Sequence, residues 1–239
     1  MPEYDKEKYD VPSDEADNSK LNKLRAAVLG ANDGIVSTSS VVMGVAGATS
    51  DTKAITLAGL AALVAGALSM AVGEYVSVSS QSDAEKAYIE LEKEDLKNDP
   101  DGELDELARE YIKLGLSRKT ADKVAEELTK KDALHAHLHV HFNLDPNDIN
   151  SPVQAAIASL LAFTVGGLIP FLTIVLTPAE WRVGATIGAV LAALFTVGYL
   201  SAHAGNASKP RAIARVVVGG MLAMTITYFV GVLFGTTVV

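Results

Sequence analysis

Read from the N-terminus, the chain changes its preference between water and oil several times. A short polar stretch comes first, then two long apolar stretches, then a long charged segment, then three more apolar stretches. The apolar stretches cover roughly 24–48, 54–80, 153–177, 183–205 and 212–236. Each is long enough for the ~20 helical residues that cross a bilayer. Within them full charges are very few: beyond Arg25 at the very start of the first stand Asp33, Glu74 and, near the start of the fifth, Arg215. All five are rich in Gly, Ala, Ser and Thr, which let membrane helices approach closely. The stretch "GLAALVAGALSMAVG" repeats small residues on a near-heptad spacing. An all-buried soluble helical core is the competing arrangement, and five such segments in so short a chain argue against it. The pattern predicts an all-α membrane protein with five transmembrane helices.

Composition sharpens the picture because it looks contradictory. The 239 residues are 49% hydrophobic, yet the formal net charge is −9, and the mean hydropathy is +0.25. Most of the acid sits in one place: residues 81–150 hold 18 Asp or Glu against 10 Lys or Arg, a net of −8. The expected plan is an acidic N-terminal stretch 1–20 that frays in water, spans one and two within 21–80, a polar helical insertion 81–150, and spans three to five within 151–239. The insertion reads as three helices. "SDAEKAYIELEKEDLKN" is stopped by "DPDG", "ELDELAREYIKLG" ends at Gly115, and a third starts near Ser117 and runs through "KVAEELTKKDALHAHLHVHF". The N-terminal stretch lacks the apolar region of a secretory signal. There is no cysteine, which excludes disulfides and thiolate metal sites.

Orientation follows from the basic residues near the span ends. Lys20, Lys23 and Arg25 precede the first span, and Lys209, Arg211 and Arg215 lie around the link between the fourth and fifth. The opposite side offers Lys53 and Arg182. The N-terminus and the 81–150 insertion are therefore expected in the cytoplasm, and the C-terminus outside.

Several residues carry chemistry. Asp33 lies about nine residues into its helix, roughly 13 Å, near mid-membrane. A charge there costs at least ~2.5–3.5 kcal/mol, so it should face a polar cavity, a partner or an ion; the structural alternative is a protonated carboxyl bonded to a neighbouring helix. Met70 and Glu74, four apart, share a helix face. A thioether beside a carboxylate suits a first-row transition metal, whereas methionine alone is more often packing. Glu74 is alternatively a proton carrier, or an interfacial residue paired with the basic N-terminal segment. Glu92 with Asp95, and Glu103 with Glu106, are carboxylate pairs three apart, either holding a cation or forming a solvated acidic face. The run "HAHLHVHF" places His135, His137, His139 and His141 alternately. In a helix they form two pairs, His137 with His141 and His135 with His139, on nearly opposite faces; in an extended segment all four share one face. Imidazoles suit metals, with pH sensing as the competing role.

The stretches "GANDGIVSTSSVVMGVAGA", "LAGLAALVAGALSMAVGEYVSVSSQ", "PDGELDEL" (a P-x-x-E-x-x-EL stretch) and "SPVQAAIASLLAFTVGGLIP" resemble the vacuolar iron transporter family, over essentially the whole chain after residue 20. The resemblance implies a homodimer of five-helix protomers with a cytoplasmic metal-binding domain between the second and third spans. It implies export of Fe2+, and often Mn2+, from the cytosol in exchange for protons, along a path between protomers. By position, Asp33 and Met70 match the family's membrane ligands, and Glu92, Asp95, Glu103 and Glu106 match its acidic cytoplasmic ligands. Asp95 stands where the family usually has Glu. The family usually has a carboxylate, sometimes with methionines, where this chain has about His137 to His141, which puts the metal preference in question.

The leading expectation is a proton-coupled exporter of Fe2+, with Mn2+, Zn2+, Co2+ or Ni2+ as further cargo and with no organic cofactor. Its partners would be lipid, metal ions, protons and a second protomer, and not nucleic acid. Its membrane would be the plasma membrane in a prokaryote and the vacuolar membrane in a eukaryote. A membrane-tethered metal sensor or buffer is the alternative, and Asp33 tells against it because a mere anchor needs no such residue. An enzyme, a ferroxidase-like centre, would need a Glu-x-x-His that is missing; Asp132 with His135 is the nearest carboxylate–histidine pairing.

Overall fold

The computed structural model describes residues 14–146, 150–205 and 207–235. Of the acidic stretch 1–20, residues 1–13 lie outside the described residues, and the first helix begins at Asp14. Seven helices follow one another among the described residues: α1 (Asp14–Ala48), α2 (Thr52–Asn98), α3 (Pro100–Lys113), α4 (Arg118–Phe142), α5 (Pro152–Leu176), α6 (Arg182–Ala204) and α7 (Lys209–Gly235). Five are long and apolar enough to cross a membrane: Ala27–Ala48 of α1, then α2, α5, Arg182–His203 of α6, and α7. The chain is an integral membrane protein.

No break in the helix accompanies the change in hydropathy at residues 80 and 81. The second span and the first helix of the insertion are one 47-residue helix. The cause is local: "EYVSVSSQSDAEKAYIELEKEDLKN", residues 74–98, contains neither Pro nor Gly, so nothing interrupts the i to i−4 ladder where hydropathy changes. The chain divides into two compact units. One contains the residues up to Glu74 together with Val153 onward, and the other is Tyr75–Pro152.

In the first unit the core is Ile35, Val42, Met43, Ile55, Ile174, Val190, Leu194 and Met224. Small residues set its helix spacing. A Cβ on Gly34 would overlap the Phe163 carbonyl oxygen of α5, and one on Gly231 would overlap the Gly44 carbonyl oxygen of α1. Backbones touch at both crossings, the contact by which membrane helices gain dispersion energy where lipid removes the hydrophobic drive. Gly34→Ala is expected to destabilise the protein in detergent by ~1–3 kcal/mol or more, read from its thermal midpoint; an unchanged midpoint would mean the α1–α5 crossing is looser than this. Along α2, Leu57, Leu60, Val64, Leu68, Val72 and Val76 are exposed at helical spacing, an apolar stripe that water would not tolerate.

In the second unit Leu107, Ala108, Ala121, Ala125 and Ala136 form the core. Helix α3 is started by Asp99, whose Oδ1 accepts the Gly102 N–H at 3.0 Å, with Pro100 following it. Gly115, at φ +102°, ends it, a left-handed position that glycine adopts without strain. Ser117 caps α4 by position, although its hydroxyl meets Thr120 Oγ1 at 2.9 Å rather than a backbone amide. The expected third helix is not continuous. Asp132 is extended (φ −165°, ψ 95°) within α4, and its Oδ1 accepts the His135 N–H at 3.0 Å. Asp132 thus restarts the helix as an N-cap, so its carboxylate serves the His135 backbone rather than the imidazole.

Candidate metal centre

Three helices of the second unit each deliver one ligand to a common point. Glu92 comes from α2, Glu103 from the first turn of α3, and His137 from the restarted half of α4. One ligand atom from each lies within 4.8 Å of the others. Metal–oxygen and metal–nitrogen bonds of ~2.0–2.2 Å place two ligands of one ion up to ~4 Å apart, so the set needs only a small contraction to hold a cation.

His137 is fully buried. Its Nδ1 lies 2.8 Å from Glu92 Oε1 and 3.3 Å from Glu103 Oε2. Yet the directions do not make hydrogen bonds: His137 Nδ1 and Nε2 and Glu92 Oε1 are all buried without a hydrogen-bond partner. Buried polar atoms are normally paired, and leaving one unpaired costs ~1–3 kcal/mol. An orphaned imidazole nitrogen and an orphaned carboxylate oxygen 2.8 Å apart, with Glu103 beside them, are what a cation would satisfy.

The electrostatics agree. Burial, then repulsion from Glu103, raises the Glu92 carboxyl above the usual carboxylate range. Burial, then Glu106 and Asp95, raises Glu103 likewise. Burial first, and then the neighbouring His141, lowers the His137 imidazole. The site therefore holds two carboxyls that keep protons unusually well and an imidazole that stays neutral. A metal ion bound by such a set would have to displace the carboxyl protons.

Of the other expected ligands in this unit, His141 Nε2 stands 3.9 Å from Glu106 Oε1 and is buried without a hydrogen bond. Half-buried Asp95 is close enough to raise both Glu92 and Glu103. The histidines follow the helical alternative rather than the extended one. His137 stacks on His141 with ring centroids 5.6 Å apart, and His135 on His139 at 6.2 Å. Helical periodicity thus sends one pair toward the carboxylates and the other away.

In the first unit Asp33 is half-buried and accepts a hydrogen bond from Ser37 Oγ at 2.9 Å, one turn along α1. The neighbouring Asn32 Oδ1 is buried without a partner. Met70 is half-buried against Leu63, Ala67 and Phe163, and Glu74 is half-buried. Among the described residues, neither Asp33 nor Glu74 belongs to a cluster of three metal-ligating side chains.

Arg182 escaped the sequence reading as anything but an orienting charge. It is 7% exposed, with Nη2 donating to Thr52 Oγ1 at 2.9 Å and Nε and Nη1 unpartnered. It ties the first residue of α6 to the first residue of α2. No local pattern signals this, because the partners are 130 residues apart.

Comparison with known proteins gives the lineage. The model of the VIT family matches residues 24–232. The vacuolar iron transporter of Acanthamoeba castellanii is 43% identical over 214 residues, covering 89% of this chain and 79% of that protein. Vacuolar iron transporter homolog 4 of Arabidopsis thaliana is 39% identical over 206 residues, covering 86% and 80%. Vacuolar iron transporter homolog 2 of Oryza sativa subsp. japonica is 39% identical over 214 residues, covering 89% and 91%. With a family match across nearly all of its length and relatives this similar, the chain belongs to the VIT family.

Proposed function

We propose that this protein exports a divalent transition metal, Fe2+ foremost, from the cytosol in exchange for protons. The observation that carries the reading is Asp33, a half-buried carboxylate inside a 22-residue apolar segment. Nothing in anchoring a sensor or buffer requires a carboxylate at that depth, where it is costly to hold. In this reading Fe2+ is collected by Glu92, Glu103 and His137, with Asp95, Glu106 and His141 beside them. It then passes to an Asp33 and Met70 site at the interface of a homodimer. Glu74, one turn beyond Met70, is a proton carrier or a ligand on the way. Relatives named as vacuolar iron transporters supply iron as the first cargo to test, with Mn2+, Zn2+, Co2+ and Ni2+ after it. The N-terminus and the Tyr75–Pro152 unit face the cytoplasm in this scheme, and the protein takes no organic cofactor and catalyses no reaction.

Protons enter because ligands must give up their protons to bind a metal, and a protonated carboxylate loses its hold on one. A proton gradient opposing the metal gradient then drives release. The test is flux into proteoliposomes with and without a pH gradient. Metal uptake is expected to rise when the lumen is acid and to collapse when the gradient is dissipated. Metal binding without flux under either condition would leave the sensor or buffer standing instead.

A further inference from the structure

The four alternating histidines are more than the carboxylate site uses. His137 and His141 turn toward Glu92, Glu103 and Glu106. His135 and His139 form a second pair on the other face of the same helix, with ring planes 15° from parallel and centroids 6.2 Å apart. His135 is half-buried and His139 exposed.

We propose that His135 and His139 form a separate, outward metal site for imidazole-preferring divalent ions of the Ni2+, Zn2+ and Co2+ class. Two histidines one helical turn apart share a face and can clamp one ion between them, the spacing used by helical zinc sites. Their backbone is held in register. Asp132 Oδ1 accepts the His135 N–H at 3.0 Å, and left-handed Asn143 closes the helix by donating its N–H to His139 O at 3.0 Å. A chelating pair on a capped helix loses little conformational freedom when it binds.

The surroundings define which ions fit. His135 lines an open cleft of about 450 Å³ together with Asp132, Glu90, Lys86 and Lys93, which leaves room for water to complete the coordination shell. Lys93 is engaged with Glu90 at 2.7 Å, and Asp132 is the acid of the cleft that adjoins His135 in the chain. The site therefore offers two nitrogens and at most one oxygen, against one nitrogen and two carboxylates at the inner set. Nitrogen-rich sites favour Ni2+, Co2+ and Zn2+ over Fe2+, following the general affinity order of divalent metals. Helical periodicity has divided one histidine run between two sites of different chemistry.

The test is titration of the full-length protein in detergent with Ni2+ alone, by calorimetry, at about pH 7.5; the affinity tag must contain no histidine. His135→Gln and His139→Gln are each expected to weaken one class of Ni2+ site by at least ~10-fold, and the double variant no further, because a chelate fails when either arm is lost. Glu92→Gln should leave that class intact. Unchanged Ni2+ stoichiometry and affinity in His135→Gln/His139→Gln would overturn the proposal, as would loss of the same class in Glu92→Gln. Should the double variant unfold by circular dichroism, His139→Gln, at an exposed position, decides alone by the same criterion.

Discussion

Asp33→Ala protein in proteoliposomes is expected to carry Fe2+ at least ~100-fold more slowly than the wild type, because losing even a supporting group of a metal site costs 10–100-fold. The same variant should be no less stable. An isolated carboxylate in hydrocarbon opposes folding by at least ~2.5–3.5 kcal/mol, and the hydrogen bond it accepts from Ser37 Oγ returns ~1.5–3 kcal/mol at most. A structural aspartate would behave the other way: its removal would lower the thermal midpoint and leave flux per folded molecule unchanged. Flux at the wild-type rate in Asp33→Ala would sink the transport reading. Ser37→Ala belongs beside it as a milder case, since it leaves the carboxylate and removes only the hydroxyl that orients it.

Glu92→Gln is expected to act in opposite directions on metal binding and on stability. Binding of Fe2+ should weaken by at least ~10–100-fold, because the amide cannot supply the charge. The metal-free protein should become more stable at pH values above the raised Glu92 titration, where Glu92 otherwise ionises in a buried place beside Glu103. The sign follows from linkage. A carboxyl raised above its ordinary 4.5 binds its proton more tightly folded than unfolded. Folding then loses stability as pH climbs from 4.5 through the raised value, and the full penalty persists above it. His137 is lowered below its ordinary 6.5, so the unfolded chain takes up a proton that the folded site refuses, and stability falls as pH drops below 6.5. Glu92→Gln should therefore gain in thermal midpoint at alkaline pH, with little change near pH 4. A variant destabilised at every pH would mean that the close approach of His137 to Glu92 is a structural pair, not a set of metal ligands.

Much of this was legible along the chain. Runs such as "LAGLAALVAGALSM" reveal a span because length and hydropathy are properties of the segment itself. Asp99, Pro100 and Gly115 punctuate α3 because caps act within a few residues. The i, i+4 pairing of the histidines is fixed once the segment is helical. Other features were not legible. Residues 74–98 change hydropathy without changing conformation, so a boundary read from polarity is not a boundary of the helix. Asp132 looked like a partner for an imidazole and is a helix cap, although an aspartate ahead of "ALHAHL" is itself a start signal.

The sequence by itself determined which segments are helical, which five have the length and hydropathy for a membrane, and that acidic and histidine side chains gather in the Tyr75–Pro152 unit. These are local matters of period, capping and apolar length. Only the tertiary structure decided which carboxylates and which histidines meet. Glu92, Glu103 and His137 are held together by the packing of α2, α3 and α4, and nothing in their separations of 11 and 34 residues specifies that encounter. The same holds for Arg182, whose hydrogen bond to Thr52 joins residues 130 apart in the chain. Proximity between distant residues comes from the shape of a shared core, and that shape belongs to all the helices at once.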